Sequence, residues 1–592
     1  MFRIPNYLYI SLTLVGLMWV LPFLYYHHAY PLTTFYQEWS AAMLGLCAMP
    51  LLVTKSSVAS ATVPRIALLP VALLLLVLLQ ALSGKLAYFE QALLFSLYML
   101  WVALLLLLGH RLRTEIGLPV LVTVLAAFLL LGAELNAFVG ILQHYRWDTW
   151  FNAVTTEKIS SAIYGNIAQP NHFAHYIALG LISLGLLLTR RILRAAPALL
   201  LTLPLLFVLV LSGSRTAWLY LIAIAVLAYW WQRKNRADKI LLHYALLLLL
   251  GFVLMHWIVQ LPWLAGTSGS VTTVQRLLGE VESGGIRLYL WRESWHIFTD
   301  FPLLGAGFGQ FAWQHFLLLP QLQSGQINGL YNNAHNIVMQ FAAEMGAAGL
   351  LILFGTLFAW LGQIVRVQLT IYHWWGYTAL SVIGIHSLLE YPLWYAYFLG
   401  IAAIILGMLD ERVVQMKLHN SVRIAVIATL LLGMVALVQL FYGYRTLEHA
   451  FALQPHPASA AATKHTGTVQ EIHTTLQAMP AKSLLKPYTE LLMSGSIKPN
   501  AEQLESNREL NTRVMRFVPI APLVYREAWL LALADKQSEA RVQIERAIWS
   551  YPHKWAAAQK DLQSLAQKDP AHFAALLEFT LQKSKEIESA VR

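Results

Sequence analysis

The chain has 592 residues, of which 58% are apolar and 12% charged, against about 25% charged in an ordinary soluble domain. So few charges cannot cover a soluble particle of this size, which identifies a polytopic, all-α membrane protein. The net charge of +11 does not point to nucleic acid, because the cations lie in short runs between apolar segments, where they set topology. A single cysteine, Cys47, excludes an intrachain disulfide and a cysteine-based metal site.

A helix that crosses a bilayer needs about 20 mainly apolar residues. That ruler predicts about 13 spans, at 8–26, 39–54, 65–83, 88–108, 118–141, 172–189, 196–212, 215–232, 240–260, 335–364, 371–390, 393–409 and 422–442. The first is read as a retained helix, since no convincing cleavage site follows it. Arg3, Lys55 and Arg65, Arg111 and Arg113, Arg190 to Arg194, Arg233 to Lys239, Arg366, and Arg412 to Arg423 fall in alternate loops. The positive-inside rule therefore places the amino terminus in the cytoplasm. The long connections 142–171 and 261–334 then face the far side, as does the Ser212–Arg215 turn. Three regions are expected: helices over 1–160, a core over 161–444 that includes the outer loop 261–334, and a polar tail over 445–592. In the tail, 526–552 and 553–579 have helical periodicity and are punctuated by Pro552 and Pro570, as in stacked, tetratricopeptide-like helix pairs.

Four polar clusters stand at the expected outer boundary. YGNIAQPNHFAHY (164–176) offers amides and imidazoles at the mouth of a span, where a polar helix cap is the competing reading. His172 and His175 are three apart, but without convergent carboxylates they make a poor metal pair. LSGSRTAWLY holds Arg215 between two apolar runs, a costly position that usually marks function. The stretch 284–311 holds Arg287 and Arg292, whose planar forks suit phosphate. Its GAGFG follows no parallel strand, so a re-entrant loop is expected there and not a dinucleotide site. YNNAHNIVMQFAAEMG places His335 and Asn336 directly before a span, and a neutral histidine there can act as a general base. A weaker fifth group, HSLLEYPLWY, holds Glu390 and Tyr391. Arginines, a histidine and amides on one membrane face fit an anionic, lipid-linked substrate, whether transferred or transported.

The order SGSRTAWL, then GIRLYLW with PLLGAGFGQF, then NNAHNIVMQFAAEMG resembles the O-antigen ligase and polymerase superfamily over residues 160–365. YGNIAQPNHFAHY, LEYPLWY and the tail make it most similar to bacterial O-oligosaccharyltransferases of the PglL type. The resemblance implies an inner-membrane glycosyltransferase with its active site in the periplasm. It would move a preassembled glycan from undecaprenyl diphosphate to Ser or Thr of a periplasmic protein such as a type IV pilin. His335 would deprotonate or orient the acceptor, with Gln169 and Tyr391 also catalytic. Arg215, Arg287 and Arg292 would bind the diphosphate, supported by Asn171, His172, Asn336 and Glu390. Inversion and independence of metal or other cofactors are expected. Rival readings are a ligase acting on lipid A core, a polymerase of lipid-linked repeats, a glycan flippase, and a scaffold whose tail recruits partners.

Overall fold

The computed structural model describes residues 6–53, 61–236, 238–264, 266, 282–322, 327–365, 367–416, 420–454, 468–477, 479, 483–499 and 502–591. Arg3, Lys55, Arg276, Arg366, Lys417 and nearly all of 265–281 in the expected outer loop lie outside the described residues.

The order begins with α1 (Asn6–Met18, continued by a turn at Leu21–Leu24), α2 (Phe35–Ala48), β1 (Ala61–Pro64), α3 (Leu68–Leu82) and α4 (Phe89–Ile116). It continues with α5 (Leu118–Tyr145), α6 (Pro170–Thr189), α7 (Ala195–Leu211), α8 (Thr216–Asn235) and α9 (Ile240–Ile258). Next come α10 (Glu282–Asp300), α11 (Phe311–Leu322), α12 (Ile337–Leu361), α13 (Ile371–Ser387), α14 (Ala396–Leu409) and β2 (Val413–Met416). After α15 (Asn420–Ala452), the tail holds α16 (Val469–Gln477), α17 (Lys486–Ser494), α18 (Leu504–Phe517), α19 (Ala521–Leu533), α20 (Gln537–Ser550), α21 (Trp555–Lys568) and α22 (Pro570–Val591).

The protein is a predominantly helical, multi-pass membrane protein. Among the described residues, eight helices are long and apolar enough to cross a bilayer. The other five predicted segments also fall on helices: α2, α7, α13 and α14 have 14, 17, 17 and 14 residues, and α8 has 20. The outward faces fit lipid. On α9, Leu246, Leu247, Leu250, Val253 and Trp257 form an exposed apolar stripe, which water would penalise and hydrocarbon does not.

The chain divides into two compact units. The first comprises Met1–Ala72, Leu97–Val281 and Ile352–Val438. At its centre is α6, the most enclosed of the long apolar helices, packed on α5, α7, α8 and α13. Small residues permit this: a Cβ at Gly180 would stand 2.3 Å from the Cβ of Ala133, and one at Gly407 would stand 2.1 Å from the Leu106 carbonyl oxygen. Close backbone approach replaces the hydrophobic drive that lipid cannot supply. β1 pairs antiparallel with β2, Val63 opposite Val414.

The second unit comprises Leu73–Ser96, Glu282–Leu351 and Gln439–Arg592. Here segment 301–310 of the expected outer loop, which holds the glycine-rich run, is irregular, and residues 282–300 form the helix α10. Its inward positions, Leu290, Glu293, Ser294 and Ile297, keep helical spacing. Two of the four are polar, so the apolar stripe is hidden from a hydropathy reading. Segment 302–307 runs beside a break in α12 at Gly346, whose φ of 63° and ψ of −160° are open only to glycine. There Ala306 and Gly307 N–H donate to Ala343 and Glu344 C=O, while Ala347 and Ala348 N–H donate to Pro302 and Leu303 C=O. These bonds satisfy groups that the break would leave orphaned. In the tail, the stretch of helical periodicity over 526–552 is carried by two helices. α19 and α20 are joined by a tight turn at Asp535, whose φ is 58°. Packed pairs follow (α18 on α19, α19 on α20, α21 on α22), and α11 packs on α18 and α20. Phe316 and Leu319 of α11 thus belong to the same apolar cluster as Val524, Ile544 and Trp549.

Candidate functional site

In the first unit, the start of α6 is set by its own sequence. Pro170 opens the helix and the Gln169 side chain accepts from the His172 N–H. Gln169 is therefore the N-cap, and its carbonyl is committed to that bond. One residue on, Asn171 donates to Glu390 Oε1 at 2.8 Å and accepts from Ser214 Oγ at 2.8 Å. Ser214 also shares a 2.7 Å contact with the Thr216 hydroxyl. These bonds join α6, the turn between α7 and α8, and the segment after α13. Glu390 is 4% exposed and Ser214 1%, so leaving either unpaired would cost about 1–3 kcal/mol. Gly213, at φ 63°, makes the turn tight and presents half-buried Arg215 at the head of α8.

Behind this network lies an aromatic layer. The His172 ring meets His386 (5.1 Å between centroids), Tyr395 (5.0 Å) and Tyr391 (6.1 Å) edge-on. His175 stacks on Phe398 at 4.6 Å, and the Tyr220 hydroxyl reaches His386 Nδ1 at 2.6 Å. Among the described residues no cluster of three or more His, Cys, Asp or Glu could hold a metal ion. Burial pushes the Tyr391 phenol above its ordinary value, and Glu390 adds to the rise. The EYPLWY segment is anchored by Glu38, which accepts from Ala396 N–H at 2.6 Å and Tyr98 Oη at 3.0 Å.

In the second unit, the loop 331–336 is bonded almost residue by residue. Asn333 Oδ1 accepts from His335 N–H at 2.7 Å, and Gln340 Oε1 accepts from Ala334 N–H at 2.7 Å. Asn336 Oδ1 caps α12, accepting from Val338 at 2.9 Å and Met339 at 3.2 Å. His335 itself has φ 51°, a left-handed conformation that costs a residue with a Cβ about 1 kcal/mol or more. The cap is thus Asn336, and half-buried His335 is turned out of the helix start. Trp291 of α10 donates to the Ala334 carbonyl at 3.0 Å. Arg287, four residues earlier and half-buried, occupies the same helix stripe as Trp291. Arg292 is exposed and five residues from Arg287, so it points to a different side of α10.

Each unit therefore assembles its own part of the expected set. The first brings together Gln169, Asn171, His172, Glu390 and Tyr391 with Arg215. The second ties the loop of His335 and Asn336 to α10, the helix that carries Arg287, through Trp291. Several residues were not singled out from the sequence. Gln80 donates to Leu304 C=O at 2.6 Å and to Glu344 C=O at 2.8 Å, and accepts from Phe308 N–H at 3.0 Å. Buried Glu344 accepts from Phe311 N–H at 3.0 Å, at the start of α11. His386 and Tyr220 are likewise paired across the sequence, and Ser214 bonds both distant Asn171 and nearby Thr216. The one sequence signal was a polar residue inside an apolar run, as at Gln80, Glu344 and His386.

Three family models match in succession: a protein glycosylation ligase model over residues 163–188, an O-antigen ligase model over 198–354, and the C-terminal region of a virulence factor membrane-bound polymerase over 374–566. A general O-oligosaccharyltransferase of Acinetobacter baylyi is 26% identical over 458 residues, which are 74% of this chain and 75% of that protein. The first match covers the capped start of α6, and the second covers Arg215, Arg287 and His335. The chain is thus similar to the O-antigen ligase and polymerase families over residues 198–354 and 374–566 and, over residues 163–188, to protein glycosylation ligases.

Proposed function

We propose that the protein is an O-linked glycosyltransferase that moves a preassembled glycan en bloc from undecaprenyl diphosphate to Ser or Thr hydroxyls of extracytoplasmic proteins. O-linked glycan transfer is supported by the similarity to a general O-oligosaccharyltransferase and by the O-antigen ligase match. The observation that carries the residue assignment is the strained, side-chain-bonded loop that holds His335 and is tied at Ala334 to the indole of Trp291. His335 takes the proton of the acceptor hydroxyl as its oxygen attacks the anomeric carbon. The bond to the diphosphate oxygen breaks with inversion, and Arg287 neutralises the charge that develops there. Arg215 keeps its assignment as a donor-binding cation. Arg292, exposed on another side of α10, is assigned to the outer phosphate or to solvent. The reaction proceeds at the periplasmic face of the inner membrane and needs no metal, since the cations supply the stabilisation. The donor lipid and a protein acceptor such as a type IV pilin are the partners.

Cells lacking the native gene, supplied with a lipid-linked glycan and a candidate pilin, provide the test. A glycan-sized mass shift with wild type, lost with His335→Ala and Arg287→Ala at matched expression, is the expected result. Long-chain sugar on lipid A core with an unshifted pilin would make the protein a ligase. Activity lost in chelator and restored by magnesium or manganese would overturn metal independence.

A further inference from the structure

Behind the His335 loop lies a buried, hydrogen-bonded pair that the proposed chemistry does not use. Glu293 of α10 and His315 of α11 are 0% and 1% exposed, with the Nδ1–H of His315 donating to Glu293 Oε2 at 2.9 Å. They lie beside an apolar cluster that includes Leu290, Ile297, Phe311 and Ala334. Removing both groups from water costs more than their attraction reliably returns, so such a pair is weak evidence for stability. The cost is raised further because His315 Nε2 and Glu293 Oε1 are buried with no hydrogen-bond partner. What the pair does possess is direction. The His315 ring meets the Tyr331 ring edge-on at 5.4 Å between centroids. Burial together with the Glu293 carboxylate pushes the Tyr331 phenol above its ordinary value, which places that carboxylate within electrostatic reach of the ring. Tyr331 opens the loop that ends at Asn336, and Trp291, two residues before Glu293, holds the same loop at Ala334.

We propose that Glu293 and His315 are positioning residues, a buried pair that fixes α11 against α10 and thereby sets the pose of the Tyr331–Asn336 loop. The loop is held at two points from α10: at Ala334 directly by Trp291, and at Tyr331 through His315. In the assigned reaction this holds His335 in register with Arg287 on the same helix, a consequence that rests on the function proposed above.

The decisive variant is the double exchange Glu293→Leu with His315→Phe, which replaces the pair by apolar groups of similar size. Such exchanges are often neutral or stabilising, and unchanged exchange in α10 and α11 serves as the control for folding. Hydrogen exchange read by mass spectrometry on the full-length protein is expected to show residues 331–336 exchanging about tenfold faster or more, with α10 and α11 unchanged. Glu293→Gln alone, which keeps an acceptor for the His315 N–H, is expected to retain slow exchange. Unchanged exchange at 331–336 would overturn the proposal. So would acceleration spread over α10, α11 and α12, which would make the pair a general stabiliser. Glycan transfer by the same variant is expected to lose turnover with donor affinity retained. Should wild type transfer no glycan, the functional reading fails while the exchange data still judge the pair.

Discussion

At the scale of single residues, the polar groups that matter are those whose partners leave them no freedom. Asn171 donates to one segment and accepts from another. Asn171→Asp would set two carboxylates side by side at Glu390, and the like charges would repel in a buried setting. The expected outcome is a drop of several degrees in Tm in detergent, and recovery when Glu390→Gln is added. Recovery would fail if the two side chains were not partners. Asn336→Ala removes the acceptor that caps α12 and is expected to cost about 1 kcal/mol, read as a shift in the denaturant midpoint. Gln169, expected to be catalytic from its QPN run, also serves the fold: its side-chain oxygen accepts from the N–H of His172 and caps α6.

At the scale of elements, long apolar runs were legible because lipid demands them, and each predicted span falls on a helix. What was not legible was everything decided by contact across the chain. α10 escaped notice because Glu293 and Ser294 occupy its inward face. The break in α12 escaped because a glycine in an apolar run is ordinary in membrane helices. Gly346→Ala is expected to abolish a stable fold around the 302–307 segment. Its Cβ would lie 2.6 Å from the Leu303 oxygen and from the Gly305 nitrogen, in a conformation closed to alanine. Unchanged expression and Tm in that variant would contradict the interlock. A second element, the end of α4, is tied at the boundary expected to face the cytoplasm. His373 and Arg113 hold the Glu411 carboxyl down at about 2, and Arg113 pairs with Glu411 and donates to the Met408 carbonyl at 3.0 Å. A depressed carboxyl contributes stability that is complete above its unfolded value near 4.5 and disappears as pH falls towards 2. Thermal stability should therefore decline through that window in wild type. The decline should be shallower in Glu411→Gln.

At the scale of the whole molecule, the tail is not an appendage that can be removed without consequence. Its helices share an apolar cluster with Phe316 and Leu319 of α11, and Gly329 N–H donates to the Ser550 carbonyl at 2.6 Å. Truncation after residue 454 exposes that face. The expected result is loss of transfer to every acceptor together with proteolysis of 282–322. Loss confined to one acceptor would instead make the tail a docking surface. The central claim is that His335 activates the acceptor hydroxyl while Arg287 holds the donor. Purified protein in vesicles, given lipid-diphosphate glycan and an acceptor peptide, allows turnover and donor affinity to be measured separately. For His335→Ala the account predicts turnover reduced by about 10²–10⁴, the range typical of a lost general base, with donor affinity unchanged. Turnover within a few fold of wild type, or a loss traced wholly to donor binding, would contradict it.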